Sequence, residues 1–340
     1  MPNSFKRYIF FLLILALQGF FSGIPARAQG RVIHITWSDE ANKNISEENI
    51  SKGLDFLAGE LCEGRATGTR GSIEASSWIA RRFSSAGLMP VGGSYFHSFT
   101  ADNGKIARNV IGFFPGSPNT GRQRYVIVAA NYDGYGIMGG KKYPGADSNC
   151  SGVVAMLEIA GTFARMQKMT RTYNKSIIFV ALDAKRLNMG GAKALWSMVE
   201  AGELKDPQTG ETVTKDKISL MVNLDQLGSS LSPLSSGRKD YLIALCGSNP
   251  GYFILLSDCN DRYGTGLELA PDYYGSRDFT RMFYRNVSEQ KPFLDHGVPA
   301  VMFTSGITMN NNKPADTPST LNIPVLKKRI FLIFEWLEKV

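Results

Sequence analysis

In this chain, polar side chains stand repeatedly at the ends of apolar runs. Tyr125-Val-Ile-Val-Ala-Ala-Asn131-Tyr-Asp133 closes on an amide and a carboxylate, and Tyr143-Pro-Gly-Ala-Asp147-Ser-Asn-Cys-Ser-Gly152 brings a second carboxylate to the start of a helical segment. Ser176-Ile-Ile-Phe-Val-Ala-Leu-Asp183-Ala-Lys185-Arg186 ends on two cations, and Ile218-Ser-Leu-Met-Val-Asn-Leu-Asp225 on a further carboxylate. Carboxylates left alone in a partly buried crevice take up protons or destabilise the fold, so built-in cations are the expected remedy. Lys185 could act as a base only with a strongly lowered pKa. Arg186 has a planar fork whose charge cannot be titrated away, and it is the cation expected within reach of Asp147 or Asp225; Lys185 is expected to reach toward solvent. Cys150 lies at a helix start, where a helix dipole lowers a thiol pKa. No Gly-x-Ser-x-Gly elbow is present.

The elements that must position these groups are legible in the apolar patterning. Two β-branched runs bracket a long helical segment, the pattern of a strand, crossover helix and strand in a sheet covered on both faces. In an open α/β sheet ligands bind beyond the carboxyl ends of the strands, so Asn131, Asp133, Asp147, Lys185 and Arg186 are expected to meet in one crevice. Residues 44–88 read as two helices, the second stopped by Gly87. His97 falls in the alternating run Tyr95–Thr100, an edge strand, and Ala107–Gly116 reads as a strand closed by a turn. Ala192–Ala201, Pro250–Arg262 and Pro324–Leu337 read as helices, Tyr241–Cys246 as a strand. The expected fold class is α/β: a mostly parallel, mixed central sheet of about six to eight strands with helices on both faces.

Lys6 and Arg7 precede an apolar run from Tyr8 to Phe21, and Ala26-Arg-Ala28 offers small residues where a signal peptidase reads. Residues 1–28 are therefore expected to be a cleavable leader cut before Gln29, giving an exported protein, periplasmic or extracellular, with no membrane span after cleavage. The leader holds three basic and no acidic residues, so the net charge of +8 becomes +5 without it. With no basic block, this excess points to a solvated surface and excludes nucleic acid as the expected partner. Residues 29–340 contain no linker or repeat and read as one domain. Cys62, Cys150, Cys246 and Cys259 allow three disulfide pairings, which stay unassigned.

The motifs around Asn131, Asp147 and Lys185 resemble those of the co-catalytic zinc exopeptidases: bacterial leucyl aminopeptidases, glutamate carboxypeptidase and glutaminyl cyclase. That family carries His-x-Asp after one strand, Gly-Ala-Asp-Asp-Asn-x-Ser-Gly at a helix start, and Glu-Glu after the next strand. This chain has Asn131-Tyr-Asp133, Gly145-Ala-Asp-Ser-Asn-Cys-Ser-Gly152 and Lys185-Arg186. The likeness continues through Gly64-Arg65-Ala-Thr-Gly68, Gly87-Leu-Met-Pro90, Asn223-Leu-Asp225-Gln-Leu-Gly228, Ser288-Glu-Gln290-Lys-Pro-Phe293 and Asn312-Lys-Pro-Ala-Asp316-Thr, and it spans residues 45 to 337. It implies a zinc-exopeptidase-like, phosphorylase/hydrolase-like fold in a single domain.

The resemblance implies five ligands to two zinc ions, at positions held here by Asn131, Asp147, Arg186, Asp225 and Asn312. Only Asp147 and Asp225 remain of that set. Asn is a poor zinc ligand and a guanidinium has no lone pair to give, so neither ion keeps the three protein ligands a catalytic zinc normally has. The family's general base is replaced by Lys185, and Gln290 stands where the family has a His. Asp133 would orient a His ligand in an active relative; beside Asn131 it is expected to cap local backbone. Cys150 then reads as packing, in a place where the family has a small residue. Arg65 reads either as a clamp for a substrate carboxylate or, the preferred reading, as a structural ion pair. His296 reads as a solvated loop residue.

The degenerate pocket is thus Asn131, Asp133, Asp147, Lys185, Arg186, Asp225, Gln290 and Asn312, with no catalytic residue, no metal site and no cofactor expected. Function reads as a catalytically inactive binding or scaffold module, with a peptide or protein ligand in the cleft as the candidate partner. The alternative is an active metallo-aminopeptidase with a non-standard ligand set; a purely structural protein is the third reading. Oligomeric state is not indicated.

Overall fold

A computed structural model describes residues 36–117, 123–230, 234 and 236–340. The expected leader and His34 lie outside the described residues. Helices α1 (Trp37–Asn44), α2 (Glu47–Leu57) and α3 (Arg70–Ala86) come first, then strands β1 (Met89–Pro90), β2 (Phe96–Thr100), β3 (Ile106–Phe114) and β4 (Tyr125–Asn131). A hairpin of β5 (Gly136–Met138) and β6 (Lys141–Tyr143) leads into α4 (Ser151–Lys168), β7 (Ser176–Leu182), α5 (Gly190–Glu200), β8 (Ile218–Leu224) and β9 (Tyr241–Leu245). The chain closes with α6 (Gly251–Arg262), β10 (Glu268–Ala270), α7 (Arg277–Asn286), α8 (Lys291–Asp295), β11 (Ala300–Thr304) and α9 (Ile323–Leu337).

Nine of these strands form one mixed sheet in the order β1-β3-β7-β4-β8-β11-β9-β10, with β2 also on β3. The middle is parallel, since β7, β4, β8 and β11 all run the same way. The antiparallel pairings, β3 with β7 and β9 with β11, flank it. The strand count exceeds the expected range because the two-residue β1 is too short to leave a pattern in the sequence.

Burial on both faces explains the unbroken apolar runs. Val126, Val128 and Ala130 of β4 pack in a core with α2, α3, α4 and α9, while Tyr125, Ile127 and Ala129 pack in a second core with α5 and α8. A strand facing solvent on one side would alternate apolar with polar residues; this one cannot. Thr69 caps α3, and Gly87 ends it at φ 91°, the expected stop. Parallel register sets Asn131 beside Leu182, so the residues after β4, β7 and β8 emerge together at one edge.

Candidate functional site

At that edge lies a cavity of about 250 Å3 whose walls include Asn131, Ser148, Lys185, Arg186, Asp225 and Asn312. Close approach of two backbones shapes it. A Cβ on Gly152, in the first turn of α4, would sit 2.4 Å from the Leu224 carbonyl at the end of β8, so only glycine lets the helix start against that strand. Ala184, Gln226 and Asn312 are all left-handed, with φ of 58°, 56° and 58°, a conformation costing a non-glycine residue roughly 1 to 2 kcal/mol. These bends stand directly before Lys185, directly after Asp225 and at Asn312 itself.

The cation that meets a carboxylate here is Lys185, contrary to expectation. Its Nζ lies 2.6 Å from Asp225 Oδ2, with the two side chains 21% and 8% exposed. Burial works against the ammonium, but Asp225 and Glu289 outweigh it and hold Lys185 above its ordinary range. Arg186 instead donates from Nη2 to Asn312 Oδ1 at 2.9 Å and to Ser148 Oγ at 3.3 Å, and its guanidinium lies over the Tyr135 ring, 3.5 Å from the centroid. The reason is local: the Arg186 backbone N–H donates to Asp133 Oδ2, which fixes where its side chain leaves the chain.

A second difference concerns Asp147. It was expected to face the metal position, yet its Oδ1 accepts from the Gly228 amide at 2.7 Å and from Ser151 Oγ at 2.9 Å, while Oδ2 is buried without a partner among the described residues. Burial, aided by the charge of Asp316, pushes the Asp147 carboxyl up to about 7. The side chain between Arg186 and Asn312 is that of the next residue, Ser148. Asp316 holds this turn by accepting from the Asp147 and Ser148 amides at 2.8 and 3.1 Å.

Asn131 is fully engaged. Its Oδ1 accepts from Asn149 Nδ2 at 3.2 Å and from Lys185 Nζ at 3.4 Å, and its Nδ2 donates to Asp133 Oδ1 at 3.2 Å. Asp133 therefore orients residue 131 as well as binding backbone. Gln290 does not line the cavity: it accepts from Asn223 at 2.8 Å and donates to the Tyr284 carbonyl. Its neighbour Glu289, passed over in the sequence, is the group that bears on the site. Both its oxygens are buried without partners among the described residues, and burial pushes it up to about 8 against the opposing pull of Lys185.

Among the described residues Arg65 forms no ion pair, and it is too deeply buried to clamp a substrate carboxylate. Its fully buried guanidinium donates to the carbonyls of Tyr132, Leu57, Pro144 and Gly145, stitching α2, the end of β4 and the turn before α4 together. His97 lies on β2, paired to β3. His296 stacks on Trp196 at the protein surface, 44% exposed. Cys150 is buried and raised to about 12, as a packing residue should be. All four cysteines are free thiols.

A zinc ion does not fit these donors. An ammonium sits on Asp225 Oδ2, both polar atoms of Asn131 are engaged, and a guanidinium takes Asn312 Oδ1. Among the described residues no group of three or more His, Cys, Asp or Glu could hold a metal ion.

Fold and site edge together define a protein of the zinc-exopeptidase class with altered site chemistry. The chain belongs to peptidase family M28, whose sequence model matches residues 109–337. Among solved structures it is similar to the LapA aminopeptidase of Legionella pneumophila, at 14% identity and a TM-score of 0.65 over 90% of this chain and 76% of that one. It is similar too to the aminopeptidase of Aneurinibacillus sp. strain AM-1, at 13% and 0.64 over 88% and 95%. A glutaminyl cyclase from Macrostomum lignano follows at 15% and 0.65 over 88% and 90%. Likeness at such identities is one of fold. Among curated relatives, a BOS complex subunit of Danio rerio is 32% identical over 108 residues, 31% of this chain and 17% of that protein, and the Homo sapiens subunit is 30% identical over 110 residues, 32% and 18%. The match thus spans under a fifth of those relatives' length.

Proposed function

We propose that this protein is a non-catalytic binding or scaffold module on the M28 peptidase fold, exported by a leader cut before Gln29. The observation that carries the reading is the Lys185–Asp225 ion pair, which sets a fixed ammonium against a carboxylate of the family's ligand set. With Asn131 and Asn312 in place of histidines, Ser148 facing the cavity and Arg186 bonded across it, the site has no donor set for a Lewis acid and no activated water. The backbone of the edge is nevertheless held in its bends, and a cavity of about 250 Å3 remains. That is room for about one or two amino-acid residues, in a wall that also carries the Gln226 and Asn311 side-chain amides. The BOS relatives are by name subunits of a complex, which supports a protein partner.

The test is titration of short peptides into the mature chain by calorimetry, beside turnover of aminoacyl p-nitroanilides and of an N-terminal glutaminyl peptide with added zinc. Binding without turnover is expected, and turnover of either substrate class would overturn the reading. Amino-terminal sequencing of the secreted protein, expected to begin at Gln29, checks export.

A further inference from the structure

Helix α7 stands between two cavities. Phe283 reaches the one described above, while Arg277, Thr280, Arg281, Tyr284 and Arg285 face another, of about 630 Å3. This second cavity lies past the carboxyl ends of β9 and β10. Because β9 runs antiparallel to β11, it sits at the opposite edge of the sheet from the first. Its volume falls within the ~300 to 1,000 Å3 usual for small-molecule sites.

Its lining separates by chemistry. The floor is apolar, built from Leu245, Phe253, Ile254, Pro250 and Pro271, and Ile254 is 59% exposed, so it contributes little to holding the fold together. One wall is cationic, with Arg277, Arg281 and Arg285 spaced four residues apart along one face of α7. Like charges at that spacing repel, so the row works against the helix that carries it. Among the described residues only Arg281 meets a carboxylate, the exposed Asp278 at 3.1 Å, and neither Arg277 nor Arg285 forms an ion pair. Asp272, the one acid in the lining, accepts from the Gly275 amide and leaves the wall positive.

Apolar floor and charged wall suit a ligand with one anionic end and an apolar body. A peptide laid across the floor would bring backbone amides to side chains that have no hydrogen-bonding group to offer. We propose that this cavity binds a free long-chain carboxylate, its tail over Leu245, Phe253 and Ile254 and its head on the arginine row of α7. Nothing in this site depends on the state of the Lys185–Asp225 edge.

Displacement of a dansylated undecanoate from the mature full chain by dodecanoate, below its micellar concentration, tests this. We expect dodecanoate to compete and dodecyltrimethylammonium, with the same tail and opposite charge, to fail. Arg277→Glu/Arg285→Glu should weaken dodecanoate at least about tenfold, the loss of a charge-assisted contact, and Ile254→Asp should weaken it comparably, with thermal melts confirming that each variant is folded. The ligand comparison on the wild-type chain stands even where a variant fails to fold. Absence of competition by dodecanoate, equal competition by the ammonium, unchanged affinity in both folded variants, or binding only to anionic phospholipid vesicles would each overturn the proposal.

Discussion

Replacing Lys185 by Met removes the ammonium while keeping most of the side-chain volume, and it leaves Asp225, 8% exposed, without its cation. Breaking a buried ion pair by deleting one partner costs about 3 to 5 kcal/mol; because Lys185 retains a fifth of its exposure, solvent screening lowers the expected loss to roughly 2 to 4 kcal/mol. Urea denaturation of the single mutants, with Asp225→Asn as the reciprocal change, gives the two losses. The double mutant Lys185→Met/Asp225→Asn should return to within about 1 kcal/mol of wild type, since removing both charges together is often neutral. A midpoint unchanged in Lys185→Met, or losses that simply add in the double mutant, would refute the idea that this pair neutralises the site.

Three further outcomes are expected. Asp147 and Glu289, at about 7 and about 8, retain protons in the native state that the unfolded chain releases near pH 4, so stability is full below about pH 4, falls by up to ~1.4 kcal/mol per unit for each group as pH rises, and levels off above about 7 for Asp147 and about 8 for Glu289. The melting temperature should therefore be higher at about pH 5.5 than at about pH 8.5, and Asp147→Asn with Glu289→Gln should flatten the slope; a rise in stability with pH would contradict the burial described. Arg65→Lys, which cannot reach four carbonyls, should cost at least roughly 3 kcal/mol in chemical denaturation, and a conservative response there would mean that Arg65 is dispensable. Asn131→His, Ser148→Asp, Lys185→Glu, Arg186→Glu and Asn312→His together should restore zinc binding measurable by calorimetry, more weakly if Ser148 is left unchanged; a folded variant that ignores zinc would show that the backbone geometry has drifted as well.

The fold was legible where burial imposes a pattern. The runs at 125–131, 176–182 and 218–224 have no polar residue on either face but Asn131, Asn223, Ser176 and Ser219, because both faces are covered, and they form β4, β7 and β8. Helix α7 was not legible: its sequence Arg277–Asn286 is mostly polar and exposed, with only Tyr284 buried. The β5–β6 hairpin did carry a signal, Gly139-Gly140 between Met138 and Lys141, both glycines with positive φ as a tight hairpin turn requires. At the site, residue positions were readable and side-chain directions were not. Asp147 and Ser148 are neighbours in a turn, as are Lys185 and Arg186, and the chain's local bend decides which of the first pair faces the cavity and which of the second meets a carboxylate. For Lys185 and Arg186 that bend hangs on the hydrogen bond that the Arg186 backbone N–H donates to Asp133 Oδ2, which sequence does not reveal. Arg65 reads from sequence as one half of an ion pair because carboxylates are the usual partners of arginine, whereas here converging backbone carbonyls take that place. Glu289 could have been found, since it lies beside Gln290 in the same quoted motif, but its importance comes from burial without partners, which only the fold creates.

The account's central claim, an M28 site closed to zinc by its own side chains, is tested most directly by metal analysis of protein purified without chelator, combined with an aminoacyl p-nitroanilide assay on the same sample. The expected result is substoichiometric zinc that added zinc does not raise, with no turnover. Zinc at one or more ions per chain, with turnover that a chelator abolishes and zinc restores, would contradict it.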